Sequence, residues 1–315
     1  VVRAFTPRYT NPSVRGSIKF VANSIVTTPV HVPAVTLPAN TPPLGTLANT
    51  FQVGGNIDVD ADVTTFNSST ADLSLPLCSQ ILFAGLYWSA GRGTCSAPNC
   101  PPISNEGVWR IGETNCRLKL PGSAVYTTIA STQTDYINPT VVPGVNFNMY
   151  QCFRDITSLV TALPNPIGTY TVANVVNPTS AGSTKNCFGG WTIVIVYSNP
   201  SLLPQNLNVF DGCAAIRNSA ATLLNVPVSG FLTPPSPSSV SCEYGVVVLD
   251  GDRADNDIFR FRQGPPPPPT TGFTDLALTA TNPMSGNNDF FNSGITHLGD
   301  HVATRNTNYV ITLGY

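Results

Sequence analysis

Charge is scarce in this chain. Of 315 residues only 10% are Asp, Glu, Lys or Arg, against roughly a quarter in an ordinary globular domain, and the formal net charge is -2. Lysine occurs only at Lys19, Lys119 and Lys185, and glutamate only at Glu106, Glu113 and Glu243. Without a basic block the chain has no means of tracking a phosphate backbone, which argues against a nucleic-acid binder. Long apolar runs are missing too. Stretches such as residues 193–196 fall far short of the roughly 20 residues that a membrane-spanning helix needs. Uninterrupted helical stretches are also rare, because 29 prolines break the chain. Hydrophobic residues still make up 42%, with 15 Phe, 10 Tyr and 3 Trp, which is enough to bury a core and excludes a disordered chain.

Eight cysteines are present: Cys78, Cys95, Cys100, Cys116, Cys152, Cys187, Cys213 and Cys242. None has the C-x-x-C spacing of a zinc ribbon or a thioredoxin-like site. Their even number and the low charge point to disulfides in an oxidising, extracytoplasmic place, with buried free thiols as the alternative. The one pairing the spacing singles out is Cys95 with Cys100, closing a Pro/Asn-rich loop. No charged-then-apolar leader opens at Val1, so an exported chain is expected here in its mature form.

Short runs rich in Val, Ile, Thr and aromatics alternate with Pro, Gly and Asn, the pattern of strands and turns. Strands are expected over 17–26, 80–89, 108–120, 169–176, 191–198, 240–249, 258–262, 273–281 and 308–313. The run 192–197 is continuously apolar, as in a strand covered on both faces. One stretch reads as a helix: Asp155 precedes 156–163, whose Ile156, Leu159, Val160 and Leu163 share a face before Pro164 ends it. The expected fold is all-β, a sandwich or jelly roll with long loops and one short helix. Residues 1–28 form an N-terminal strand segment, 29–50 a proline-rich connector, and 51–315 the main body. The five prolines of 265–269 form a stiff loop.

Eight of fourteen aspartates fall in two stretches: Asp58, Asp60, Asp62 and Asp72, then Asp250, Asp252, Asp255 and Asp257. Clustered carboxylates are what calcium takes as ligands, so Asp58, Asp60, Asp62 and the second four are candidate calcium ligands. As alternate residues of a strand, Asp58, Asp60 and Asp62 share one face. The first stretch lacks the glycine and terminal glutamate of an EF-hand. The other reading of the second stretch is a set of Asx turns. His297 and His301 stand four apart, but their neighbours read as a turn leading into a strand. No nucleophile elbow, zinc-protease helix or phosphate loop is present. An enzyme is not expected, and no residue is assigned a catalytic role. Asn67-Ser68-Ser69 is a glycosylation sequon.

The stretches FQVGGNIDVDADVTTFNSSTADLSLP (51–76) and CSQILFAGLYWSA (78–90) carry a resemblance. With CFGGWTIVIVY (187–197) and GDRADN (251–256), they resemble the N-terminal β-rich region of large secreted surface proteins of Bacteroidota. Those are the gliding-motility-associated, type IX-secreted, adhesin-like proteins. The resemblance implies an extracellular or cell-surface structural role without enzymatic activity. Members of that family continue into repeated β-domains and a sorting domain that do not follow here, which leaves a processed fragment and a stand-alone subunit as the two readings.

Two functions follow as expectations. The first is a secreted, self-assembling subunit of an extracellular filament or surface layer, its partners copies of itself. Its contact would be a strand from the N-terminal segment, through Ser17, Ile18, Phe20, Val21 and Ile25, added to a neighbour's sheet. The same segment can equally pair within its own sheet. The second is a calcium-dependent adhesin module that binds a glycan or another surface, with Tyr87, Trp88 and Trp109 stacking on sugar rings. Core packing is the other role for those rings.

Overall fold

The structure, a computed structural model, describes residues 2–27, 55–60, 62–91, 112–138, 141, 148–177, 189–214, 224–230, 243–249, 259–261, 274–275, 294–297, 300–304 and 309–313. In chain order the strands begin with β1 (Arg3–Ser24), β2 (Val26–Thr27), β3 (Gly55–Asn56), β4 (Ser68–Leu73) and β5 (Gln80–Gly91). Next come β6 (Asn115–Lys119), β7 (Thr127–Ala130), β8 (Gln133–Ile137) and β9 (Met149–Asp155), then the helix α1 (Thr157–Thr161). After it lie β10 (Gly168–Ala173), β11 (Gly189–Ser198), β12 (Pro204–Cys213) and β13 (Gly245–Leu249). The last are β14 (Arg260–Phe261), β15 (Thr274–Asp275), β16 (Gly294–His297), β17 (Asp300–Thr304) and β18 (Tyr309–Leu313).

The fold is all-β. A six-stranded antiparallel sheet in the order β12-β1-β11-β5-β9-β8 carries a four-stranded sheet, β4-β10-β6-β7, on one face. Alternation on β11 explains the layering. Trp191, Ile193 and Ile195 point to the four-stranded sheet and meet Leu73, Leu118, Tyr170 and Val172 in one buried cluster. Val194 and Val196 point the other way and pack with Phe83, Phe153, Leu207 and Val209. A strand with apolar neighbours on both sides is buried at every position, and residues 192–197, apolar but for Thr192, are buried throughout.

The second face is covered by the sheet's own edge. The 22-residue β1 changes partner along its length. Gly16 to Ser24 pair with β11 in unbroken register, whereas Arg3 to Arg15 pair with β12. The β1–β12 ribbon curls back so that Tyr9 and Val14 lie against Phe83, Phe153, Val194 and Val196. Arg3 then reaches β8, at the far edge of the same sheet. Gly16 sits where β1 passes from one partner to the other, and a Cβ there would lie 2.1 Å from the carbonyl oxygen of Tyr197. Only glycine lets the backbones approach so closely.

The half of β1 that pairs with β12 contains Pro7 and Pro12, which cannot donate to a ladder. Its register shifts between Arg3 and Thr6, between Pro7 and Tyr9, and between Asn11 and Val14. These irregularities accommodate the prolines and supply the curl. The strand expected from residue 108 runs instead over Asn115–Lys119, preceded by helical backbone at 112–113. Helix α1 is shorter than the expected run. The Asp155 carboxylate accepts the Thr157 amide at 2.8 Å, Ile156 and Val160 are buried, and Leu159 faces out.

A further sheet, β13-β18-β16-β17, includes a parallel pairing of β16 with β18. Gly245 of β13 lies against the Phe20 ring, which would clash with any side chain there.

Candidate functional site

Two features combine polar chemistry or exposed apolar surface with a defined place in the fold. The first is a charged cluster under the curled half of β1. Arg3 donates from Nε to both Asp135 oxygens at 3.0 Å, and its Nη1 donates to Asp211 Oδ1 and to the Asp211 carbonyl. Arg8 donates from Nε to Asp211 Oδ2 at 2.6 Å and from Nη2 to Gln133. The Tyr87 hydroxyl donates to the same Asp211 oxygen at 3.2 Å. The Arg8 guanidinium lies 4.3 Å from the centre of the Phe153 ring, a cation–π contact.

Two arginines and two aspartates make a neutral set. The side chain of Asp211 is only 5% exposed, so its charge requires this pairing. Burial, followed by the negative charge of Asp211, drives the Tyr87 hydroxyl well above its ordinary pKa, so it remains a neutral donor. Both Asp211 oxygens are engaged, which fits a structural anchor rather than a proton-transfer group. Arg3 lies 208 positions from Asp211, and no local spacing announces their meeting.

The second feature is the distribution of exposed apolar side chains. Gln80, which opens β5, faces Ser198, which closes β11, and Gly16 faces Ser198 as well. That pole carries the loops 74–79 and 199–203. They are tied by Asn199 Nδ2 donating to the Leu77 carbonyl and to the Ser79 hydroxyl. Arg15 donates to the Leu202 carbonyl at 2.9 Å. Leu77 is 90% exposed and Leu203 76%. An open cleft of about 550 Å3 lies beside β1 at this pole, bordered by Arg15, Cys78, Gln80 and Asn199. At the opposite pole Ser24 faces Gly190, and Ile25, Ile57 and Ser68 are linked in series through backbone hydrogen bonds. The loop 58–67 closes that pole, with Val63 97% and Phe66 48% exposed.

The first aspartate stretch lies in this loop, in irregular backbone rather than a strand, so the expected shared face does not form. Asp58 accepts from the Ser68 hydroxyl. Asp60 accepts from the Asp62 amide, the Thr65 hydroxyl and the Tyr126 hydroxyl, with Lys119 Nζ at 3.7 Å. Asp62 accepts from the hydroxyl and amide of Thr64, and these bonds hold its carboxyl below the usual range. These are Asx turns with cationic neighbours. Among the described residues no group of three His, Cys, Asp or Glu side chains is placed to hold a metal. Asp250, Asp252, Asp255 and Asp257 lie outside the described residues, as do Cys95, Cys100, His31 and Trp109.

The disulfide expectation is corrected for the cysteines described. Cys78, Cys116, Cys152 and Cys213 are free. Cys116 and Cys152 serve as small apolar side chains in the core between the sheets, and Cys152 donates to the Glu113 carbonyl. Burial pushes the Cys152 thiol up to about 12 and the Cys116 thiol well above its ordinary value.

The sequon is also absorbed by the fold. Asn67 is fully buried, and its amide donates to the Val175 carbonyl and to Asn177. Trp88 is likewise core, with Nε1 donating to the Glu113 carbonyl, and Tyr87 is committed to Asp211. Of the segment expected to contact a neighbour, Ser17, Ile18, Phe20 and Val21 face Tyr197, Val196, Val194 and Ile193 of their own chain. The Ile25 amide bonds to the Gly189 carbonyl. His297 and His301 lie on the hairpin β16–β17. Among the described residues no helix is long and apolar enough to cross a membrane.

Comparison of the chain with protein-family models, with curated proteins and with solved structures found no match.

Proposed function

We propose that this protein is a non-enzymatic structural subunit that assembles with copies of itself into an extracellular filament or surface layer. The observation that carries this reading is that the three most exposed large apolar side chains among the described residues, Val63, Leu77 and Leu203, stand at its two poles. Leu77 and Leu203 project from one pole of the sandwich, and Val63 and Phe66 from the other. Two different poles brought together make a head-to-tail contact, and such a contact propagates as a fibre when its rotation does not close a ring. The low charge of the chain supports the same reading, since few charges need to be desolvated when copies pack.

Magnitudes limit what the poles contribute. Covering one leucine is worth about 1.5–3 kcal/mol. Association costs about 4–15 kcal/mol in lost freedom. Pole contacts set direction, and a stable polymer needs a longer contact, of the kind strand addition provides.

Negative-stain electron microscopy of the native protein over a concentration series tests the reading. Regular fibres or sheets are expected. Isolated particles at every concentration, with monomer mass by light scattering, would overturn it.

A further inference from the structure

Resting on the self-assembly reading, we propose that residues 3–15 of β1 are an exchange arm. In the assembled state this arm leaves its own β12 and takes the same place on β12 of a neighbouring copy. The partner is a second copy of this chain, and the surface is the channel that β12, β8 and the second face of the central sheet form for the arm.

Three observations converge on the arm. The partner change at Arg15 and Gly16 makes it separable: Arg15 is the last residue facing β12 and Gly16 the first facing β11. Residues 3–15 can depart while the ladder from Gly16 to Ser24 stays whole. The arm is also the less regular half of the strand, with three register shifts against none in the β11-paired half. A segment with a broken ladder and two prolines opens at lower cost than the core strands.

The channel is chemically matched to the arm. The arm brings Arg3 and Arg8. The body supplies Asp135 and Asp211, the Gln133 amide oxygen, and the Phe153 ring beneath the Arg8 guanidinium. A body without its arm would leave Asp211 with no cationic partner, only the Tyr87 hydroxyl, and would uncover the apolar face at Phe83, Phe153 and Val196. Peptides of other sequence lack this spacing of two cations followed by Tyr9. Another copy's arm carries it by construction.

Geometry ties the exchange to the poles. The hinge at Arg15 and Gly16 lies at the pole of Leu77 and Leu203, and Arg15 is hydrogen-bonded to the Leu202 carbonyl there. Arg15 and Gly16 are consecutive, so the copy that takes the arm must lie with its own Leu77 and Leu203 pole beside this one, as a lateral neighbour and not the copy joined end to end. Exchange restores every contact that opening breaks, so the pole contacts become net gain.

Two engineered-cysteine experiments in a C78S background test the arm. Thr10 and Asn208 face one another across β1 and β12. In the first, T10C and N208C are placed in one chain, and the monomer is oxidised and then returned to assembly conditions. Fibres should be lost while the staple is intact and return on reduction, with unstapled C78S protein under the same reductant as control. In the second, chains carrying only T10C are co-assembled with chains carrying only N208C and then oxidised. A covalent dimer joined through those two cysteines is expected on non-reducing gels and by peptide mass. Stapled protein that forms fibres, or mixed fibres that yield no such dimer, overturns the exchange while leaving self-assembly standing. Absence of fibres from the unstapled protein overturns both.

Discussion

Arg3 and Asp211 stand 208 residues apart in sequence, yet they share a hydrogen-bonded ion pair beneath the curled end of β1. Arg8 completes it on the other carboxylate oxygen. The pair closes a sheet upon its own second face, and it makes one aspartate responsible for holding two points of the same strand.

Replacing Asp211 by Asn should therefore destabilise the monomer. Removing one partner of a buried pair costs about 3–5 kcal/mol. The arginines are 22% and 25% exposed and regain some hydration, so a loss of about 1–3 kcal/mol is expected. Urea unfolding of the Asp211→Asn variant reads it, and an unchanged midpoint would remove the anchor role.

Leu77→Ser and Leu203→Ser should act on assembly alone. Both side chains are mostly in solvent, so monomer stability is expected to stay within about 0.5 kcal/mol of the parent. Each lost leucine contact weakens association by about 1.5–3 kcal/mol. That corresponds to roughly a tenfold or greater rise in the concentration at which fibres appear. Sedimentation across a dilution series measures it.

Gly16→Ala tests the crossing point of β1. The new methyl would lie 2.1 Å from the Tyr197 carbonyl oxygen and 3.1 Å from the Ser198 Cα, both backbone atoms, so the strands must part. A loss of about 1–3 kcal/mol is expected, as for an overpacked core site. Equal stability of Gly16→Ala and the parent would show that the ladder shifts freely there.

Alkaline pH should weaken the fold through Cys152. Its thiol ionises near 8.5 in an unfolded chain, whereas burial holds it at about 12 in the fold. The unfolded state thus loses its proton first, and the stabilisation present below about pH 8.5 declines as pH rises toward 12. Between pH 8.5 and 10 this one thiol accounts for about 2 kcal/mol. Comparing the parent with Cys152→Ala at both pH values isolates it, and parallel stability curves would refute it.

Much of the architecture was readable from local pattern. The continuous run 192–197 named the central strand, because a strand covered on both faces admits no polar stripe. The aspartates of 58–62 read as alternate residues of a strand, and their bonds to Thr64, Thr65 and Tyr126 in irregular backbone were not legible from that spacing. Residues 1–28 read as a strand segment, but Pro7 and Pro12 argue against a ladder over 3–15, and only the bulges opposite β12 reconcile them with one. Strands β9 and β12 were likewise missed, their alternation blurred by polar residues such as Arg154, Asn206 and Asn208.

By itself, the sequence determined that this is an all-β chain of low charge with a large apolar core. Those properties follow from residue type and from spacings of a few positions, where side-chain direction is set by the backbone alone. Tertiary structure decided which cysteines are core thiols, that the sequon is buried, and that Arg3 and Arg8 share Asp211. It also decided that β1 serves two partners. Contacts across a hundred or more residues depend on which sheets stack and where a strand curls, and no local spacing encodes that.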